Sequence, residues 1–216
     1  MRLIRWAVGC GMIVTASLLT VGCSSEEPRR SDSPKGWAAC NEFFGSKNID
    51  TLDKQMDDGE LRIENQLASV EQLASSMASQ ARSWEPGSEA HWSVSYEPCR
   101  IAIPEKGQRF TSDIRWSKYS VADLESGKAP GAWSRASGDV FTSEALDRDT
   151  LQAAFPCKVS GTHKQQEDGL PLQVRVRGKA MSGFDEDFRG KLTSALARKM
   201  SGELGCVNKP EIPGEL

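Results

Sequence analysis

Histidine and tyrosine are scarce in this 216-residue chain, which has two residues of each. His91 and His163 are the histidines, so most hydrolase and metal-dependent mechanisms would lack their usual base or ligand. The sequence also lacks the Gly-x-Ser-x-Gly and Ser-x-x-Lys signatures of serine acylation, the P-loop and the dinucleotide fingerprint. These absences argue against the common classes of hydrolase and of nucleotide-binding protein, and we expect no cofactor.

Metal-binding patterns are absent or incomplete. Although the chain has six cysteines, no Cys-x-x-Cys pair occurs, which disfavours both a zinc site and a thioredoxin-like redox site. A calcium loop could place Asp53 and Glu64 at its first and twelfth positions, but Asp58 stands where such a loop needs glycine. A solvated acidic turn explains the same acids, so the sequence predicts no metal site.

The N-terminal segment is typical of an export signal. Arg2 and Arg5 give it a positive start, and residues 6–21 form an apolar stretch interrupted by Gly, Ser and Thr. This stretch is shorter than the roughly 20 apolar residues of a membrane span. It suits the core of a signal peptide instead.

The sequence LTVGC at 19–23 resembles the lipobox of bacterial lipoproteins, in which a small residue and an obligatory Cys follow a short apolar run. Thr20 departs from the Leu usual at its position. The resemblance implies that residues 1–22 are a lipoprotein signal peptide and that Cys23 carries a diacylglyceryl anchor, a stable two-chain membrane attachment. The alternatives are a secretory signal cut near Gly22, an uncleaved anchor, and lipidation at Cys10 after a much shorter apolar core.

Residues 24–36 contain no aliphatic or aromatic side chain and mix Ser, Pro and Gly with charges of both signs. We therefore expect a disordered tether after lipidated Cys23. Such a coil spans roughly 20 Å. Residues 37–216 are enough for one globular domain. Removing residues 1–22 leaves 30 acidic and 25 basic side chains, a net charge of −5, and this negative balance argues against nucleic acid as a partner.

Four further cysteines predict two disulfides, because exported proteins meet an oxidising environment. Cys99 and Cys157 lie in extended apolar runs, whereas Cys40 and Cys206 lie on or just after expected helices. Three pairings are open. We favour Cys40 with Cys99 and Cys157 with Cys206, which join strands to helices.

Periodic apolar residues predict the main elements. A stripe with alternating steps of four and three residues predicts a helix packed on a sheet, although a short coiled coil has the same spacing. It consists of Ile63, Leu67, Val70, Ala74, Met77, Ala81 and Trp84. Other expected helices begin at Pro34 and at a Ser182 cap. Residues 151–159 and 170–176 alternate as a hairpin. Residues 92–103, whose buried face changes at Pro98, and 110–121 indicate strands, and 122–138 resembles a surface loop.

The order of these elements predicts an α+β fold: an antiparallel sheet of four or five strands with two main helices packed on one face and two disulfides. On the outer face of one strand, Arg175, Arg177 and Lys179 form a candidate binding face for a carboxylate or phosphate polymer, with Lys158 as a neighbour. An ordinary solvated sheet face is the alternative explanation. We expect the tryptophans to serve core packing rather than sugar binding.

In outline, the lipobox, the Ser/Pro-rich tether and the four-cysteine domain resemble the small exported lipoproteins of actinobacteria. The resemblance implies an extracytoplasmic protein on the cell membrane, held by Cys23. We expect a non-enzymatic binding module whose partner is an envelope protein, a wall component or a small ligand. The alternative is an extracytoplasmic hydrolase with a carboxylate-based site.

Overall fold

Strands with alternating apolar and polar residues build the centre of the molecule as an antiparallel sheet. The computed structural model describes residues 34–63, 69–88, 94–144 and 149–216. Seven strands lie in the described residues. They are β1 (Arg62–Ile63), β2 (Arg100–Ile103), β3 (Gln108–Trp116), β4 (Ser134–Ser137), β5 (Val140–Glu144), β6 (Thr150–Phe155) and β7 (Leu172–Lys179).

Six α-helices accompany the sheet in the same residues, and their lengths differ widely. They are α1 (Pro34–Phe44), α2 (Ser46–Gln55), α3 (Val70–Ser83), α4 (Val121–Glu125), α5 (Gln166–Gly169) and α6 (Glu186–Glu203). Helix α1 begins at Pro34, so the last residues of the expected tether are helical rather than disordered.

The strand order is β1-β2-β3-β7-β6-β5-β4, and every neighbouring pair is antiparallel. Strands β3 and β7 form the long central pair, with registered partners from Arg109 and Lys179 to Trp116 and Leu172. The predicted hairpin is confirmed, because β6 pairs with β7 in register. The α+β class and the antiparallel sheet are therefore as expected.

One face of the sheet is buried beneath helices α1, α3 and α6. The side chains of Phe110, Ile114 and Trp116 on β3 are fully buried there, and Val174 and Val176 of β7 lie in the same cluster. Burying such side chains stabilises a fold by about 1.5–3 kcal/mol each. The Trp116 indole N–H also donates to the carbonyl of Met77 on α3 at 3.0 Å, which satisfies the polar atom of this buried ring.

A smaller apolar cluster lies on the opposite face, at the β5 end of the sheet. Leu124 of α4 and Ala129 pack there with Phe141 of β5 and Ala154 of β6. Phe141 and Ala154 face each other across the strands, on the other side from buried Val140 and Ala153. The prediction of helices on one face only is therefore wrong, because α4 covers part of the second face.

The predicted counts were also too low, with four or five strands against seven and two main helices against six. Strand β1 has two residues, and β4 has four residues that are all exposed, so neither produces an apolar alternation. Helix α2 consists mostly of polar residues, and only Ile49 and Leu52 are buried, so it has too few apolar residues to predict a helix. The region 122–138, expected to be a loop, contains most of α4 and all of β4.

The long predicted helical stripe is interrupted. Ile63 belongs to β1, where it pairs with Ile101, and Leu67 lies outside the described residues. Helix α3 begins after Ser69, whose side chain accepts the amide N–H of Gln72 at 3.2 Å. This N-cap sets the start of the helix more strongly than the apolar period does.

Helix α6 is capped by Asp185 rather than by Ser182. The Asp185 carboxylate accepts the Phe188 amide N–H at 2.8 Å. Asp185 thus satisfies an amide of the first turn that has no partner within the helix, and it places a negative charge at the positive end of the helix dipole.

Two disulfides join helices to the strand layer, Cys40 to Cys99 and Cys157 to Cys206. These are the two pairs that the sequence favoured. They close segments with sequence separations of 59 and 49 residues, and the chain-entropy model gives about 4 kcal/mol for loops of this size.

The segment after α6 runs back along that helix. The Arg198 guanidinium donates to the Pro213 carbonyl at 2.7 Å, and Lys191 lies 3.6 Å from the Glu215 carboxylate. Gly190 permits the close approach, since a Cβ atom at this position would overlap the main chain of Leu216.

We expect Gly190→Ala to destabilise the protein by about 1–3 kcal/mol, because the added methyl group overpacks this contact. Gly202→Ala in the same helix is the matched control, since its Cβ would have no neighbour within 4 Å. Replacing an exposed helical glycine stabilises by up to about 1 kcal/mol. Urea unfolding of both variants measures the difference, and an equal gain in stability would contradict the packing of this segment.

Candidate functional site

The open face of the sheet is the side that α1, α3 and α6 leave uncovered, and it carries rows of charged residues at its β2-β3-β7 end. Alternation places every second residue of each strand on this face. In the central pair, the rows are Arg109 with Lys179, Thr111 with Arg177, Asp113 with Arg175, and Arg115 with Gln173.

Asp113 and Arg175 form the ion pair at the middle of the open face. The Asp113 Oδ2 atom accepts hydrogen bonds from Nε of Arg175 at 3.0 Å and from Nη2 at 2.8 Å. The Ser95 hydroxyl lies 3.3 Å from the other carboxylate oxygen. The Arg175 charge is therefore largely compensated within the protein.

Glu97 and Arg100 form a second ion pair at the β2 flank. Their closest atoms, Arg100 Nε and Glu97 Oε1, are 2.6 Å apart, and Arg100 Nη2 donates to the other oxygen at 2.8 Å. Arg100 pairs with Thr111 across β2 and β3, so this ion pair lies beside the second row of the open face.

Arg109 and Lys179 occupy the first row without a counter-ion from any described residue. Both side chains are exposed, and the two residues are direct cross-strand partners. Among the residues that the structure describes, neither forms a side-chain hydrogen bond or ion pair. Like charges in this arrangement repel and lower the stability of the sheet.

Thr111 and Arg177 continue the site in the second row. The Thr111 side chain is half-buried, and its hydroxyl makes no hydrogen bond within the described part of the chain. The guanidinium of Arg177 is exposed beside it. The first two rows therefore bring a guanidinium, an ammonium and a hydroxyl group next to a second guanidinium.

Arg115 marks the opposite end of the open face. Burial, with a smaller contribution from neighbouring Arg175, lowers the pKa of its guanidinium, while Asp113 and Tyr119 act in the opposite direction. Its Nε donates to the Gln173 side chain at 3.0 Å. A guanidinium in this position remains charged, but its burial and its bond to Gln173 make it part of the scaffold.

These residues line a cleft of about 280 Å³, which we call the basic cleft. It is lined by Glu97, Arg100, Arg109, Thr111, Asp113, Arg175, Arg177 and Lys179. Five of its side chains are basic and two are acidic, whereas the whole chain has a net charge of −3. The cleft therefore concentrates positive charge on an acidic protein, which favours the capture of anions.

The predicted binding face lies inside this cleft, because Arg175, Arg177 and Lys179 share one face of β7. Lys158 does not join them. It follows β6, and its ammonium group donates to the carbonyl of His163, so the expected neighbour belongs to a separate turn. Predicted lipidation site Cys23 lies outside the described residues.

Strand β3 and the segment that leads into β2 contribute the half of the cleft whose residues the sequence did not predict as a site. Arg109, Thr111 and Asp113 alternate with Phe110, Ser112 and Ile114, a pattern that assigns them to the open face. Arg109 and Lys179 become neighbours only through the register between β3 and β7, which are far apart in the sequence. The residues of one strand alone cannot predict that register.

A larger cleft of about 460 Å³ lies between α4, the β4–β5 turn and residues 208–211. Arg135 already binds two of its acids there, Glu125 through an ion pair and Asp139 at 3.1 Å. Within the described residues, no group of three or more His, Cys, Asp or Glu side chains is arranged to hold a metal ion. The basic cleft is therefore the better candidate site.

No family model matches the chain, and neither a curated protein nor a solved structure does so. In the described ranges, no helix has the length and apolarity required to cross a membrane. The function must consequently be inferred from the chemistry of the basic cleft and from the sequence.

We expect Lys179→Gln to stabilise the ligand-free protein by about 0.2–1 kcal/mol at low salt, because it removes the repulsion with Arg109. The gain should shrink near 0.5 M salt, where exposed charges are screened. Urea unfolding at both salt concentrations tests this, with Lys164→Gln, an exposed lysine outside the cleft, as the control. A Lys179→Gln protein less stable than the control at low salt would contradict uncompensated repulsion.

Proposed function

We propose that the protein is a membrane-anchored lipoprotein of the cell envelope whose domain is a non-enzymatic binding module for an anionic ligand. The observation that carries the proposal is the facing pair of Arg109 and Lys179 in the basic cleft. An exposed pair of like charges without a counter-ion lowers stability, and an anion placed between them removes that cost.

Hydrogen-bond chemistry supports the same ligand class. The Arg109 guanidinium offers five N–H donors, the Lys179 ammonium three and the Thr111 hydroxyl one. Carboxylates and phosphates are the groups that such donors bind, often through two parallel bonds to one Arg. Because the donors surround an open cleft, an anion can enter without displacing the core.

The anchor proposal rests on the LTVGC sequence that ends at Cys23, and the disulfides agree with it. Structural disulfides persist outside the reducing cytoplasm, and the domain contains two. Helix α1, which follows the proposed tether, packs with α6 on the helical face of the sheet. The basic cleft lies on the other face, so attachment through α1 leaves its entrance open.

A carboxylate-based hydrolase is not favoured by the acids of the cleft. Glu97 and Asp113 each hold an arginine, at 2.6 Å and 2.8 Å. Both carboxylates are thus engaged in ion pairs with protein side chains rather than left available to a substrate. Binding is therefore the better interpretation of this geometry.

Isothermal titration of the full-length protein in a neutral detergent, with inorganic phosphate and succinate as probes, tests the binding function. We expect Lys179→Gln and Arg109→Gln to weaken binding about tenfold or more, since each removes a charge-assisted contact of about 1.5–3 kcal/mol. Lys164→Gln should leave affinity unchanged. If all variants bind equally, or if the wild-type protein binds neither anion, the proposed site is wrong.

Cys23→Ala tests the anchor separately. We expect the variant to be released into the medium or to accumulate as an unlipidated precursor, because the diacyl chains provide the stable membrane attachment. Partitioning into Triton X-114, followed by immunoblotting, distinguishes the forms, and Cys10→Ala is the matched control. A processed Cys23→Ala protein that still enters the detergent phase would refute lipidation at this residue.

A further inference from the structure

We propose that the basic cleft selects a compact phosphate monoester, such as a phosphorylated glycerol or sugar, and rejects extended polyanions. The inference rests on the proposed function and names its ligand class. It follows from the number of uncompensated charges in the cleft, from the acids at its borders and from its size.

The charges of the first row match a dianion. A phosphate monoester carries about −1.5 to −2 charges at pH 7 and has three terminal oxygens. Arg109 and Lys179 supply two positive charges without partners among the described residues, and the Thr111 hydroxyl supplies a further donor. A carboxylate has a single charge and two oxygens, so it uses this set of donors less completely.

Carboxylates border the first two rows on two sides. Along β3, the third row presents Asp113, bound to Arg175. Beyond it, Arg115 is partly buried near Tyr119. Toward β2, Glu97 is held against Arg100. An anionic chain continuing in either direction would reach arginines whose charges these acids already balance. It would therefore gain no uncompensated cation from these two ion pairs, and its own charges would lie near carboxylates, which disfavours the wrong partner.

The acids continue beyond β2. Glu60 lies 3.6 Å from Arg62 of β1, and the Glu60 amide donates to the carboxylate of Glu105 at 2.8 Å. The groups that a polyanion would meet beyond β2 are therefore acids that already have partners, together with the paired Arg62 cation.

The size of the cleft agrees with a small ligand. Its volume of about 280 Å³ is at the low end of small-molecule sites, which span roughly 300–1,000 Å³. The cleft accommodates one phosphate group and a short polyol, whereas a repeating polymer would have to extend past Asp113 or Glu97.

Titration calorimetry of the full-length protein in neutral detergent compares glycerol 3-phosphate with long-chain polyphosphate. We expect glycerol 3-phosphate to bind at least as tightly per chain as polyphosphate. Asp113→Asn removes a border charge and uncovers Arg175, so it should increase polyphosphate affinity about tenfold and glycerol phosphate affinity by a clearly smaller factor. Asp139→Asn, which removes an acid bound to Arg135 outside the cleft, is the control.

Glu97→Gln provides a second test at the other border, and the same gain for polyphosphate is expected there if Asp113→Asn does not fold. The inference is overturned if wild-type affinity for polyphosphate exceeds that for glycerol phosphate and neither border variant changes the ratio. In that outcome both ligands still bind and Lys179→Gln still weakens them, so the anion site would stand. Loss of all binding would instead remove the proposed function.

The pH dependence tests the charge of the ligand. Glycerol phosphate loses its second charge below about pH 6, while sulfate remains a dianion. None of the described residues that line the cleft is a histidine, and the charged ones among them are Glu97, Arg100, Arg109, Asp113, Arg175, Arg177 and Lys179. Affinity for glycerol phosphate should fall about fivefold or more relative to sulfate between pH 7.5 and about pH 5. An equal change for both anions would exclude dianion selection.

A short-chain phosphatidic acid added to the same micelles distinguishes the two sources of a phosphate monoester. If it binds as glycerol 3-phosphate does, the polar group alone is recognised and a soluble metabolite suffices. If its acyl chains increase affinity tenfold or more in a Lys179-dependent way, the ligand is a lipid headgroup. Both results support the inference, and binding that does not depend on Lys179 overturns it.

Discussion

The antiparallel pairing of β3 with β7 is the constraint on which the rest of the structure depends. Its register sends Phe110, Ile114 and Trp116 into the helical layer, and the same register puts Arg109 and Asp113 on the open face. A shift of one residue would exchange the two faces. The core and the basic cleft are therefore two consequences of one set of backbone hydrogen bonds.

The sequence predicts those parts of the fold whose signal lies within one segment. The hairpin of β6 and β7 was predictable because its apolar residues alternate without interruption, and Arg175, Arg177 and Lys179 follow from the same pattern. The cross-strand partner Arg109 was not predictable, because register between distant strands depends on packing of the whole sheet. Strand β4 was missed because all its side chains are exposed, so burial leaves no pattern in its residues.

The Cys40–Cys99 disulfide connects helix α1 to the segment that borders the cleft. Cys99 is buried next to Arg100, and its amide N–H donates to the Ser112 hydroxyl of β3 at 3.1 Å. On the same segment, the backbone of Tyr96 exchanges hydrogen bonds with Ile114. These contacts fix the chain that carries Glu97 and Arg100, so the cleft border is positioned from the core side.

The distribution of charge on the open face departs in one place from what stability alone would favour. A solvated sheet face needs polar residues, and selection for stability pairs opposite charges, across strands in Asp113–Arg175 and within one segment in Glu97–Arg100. The same pressure would replace one member of the Arg109–Lys179 pair with an acid or a neutral residue, at little cost to an exposed position. An uncompensated pair beside two compensated ones is therefore better explained by a ligand that supplies the missing negative charge than by solvation. In this view, the acids of the neighbouring rows serve both the sheet, by neutralising arginines, and the site, by confining the anion to its first two rows.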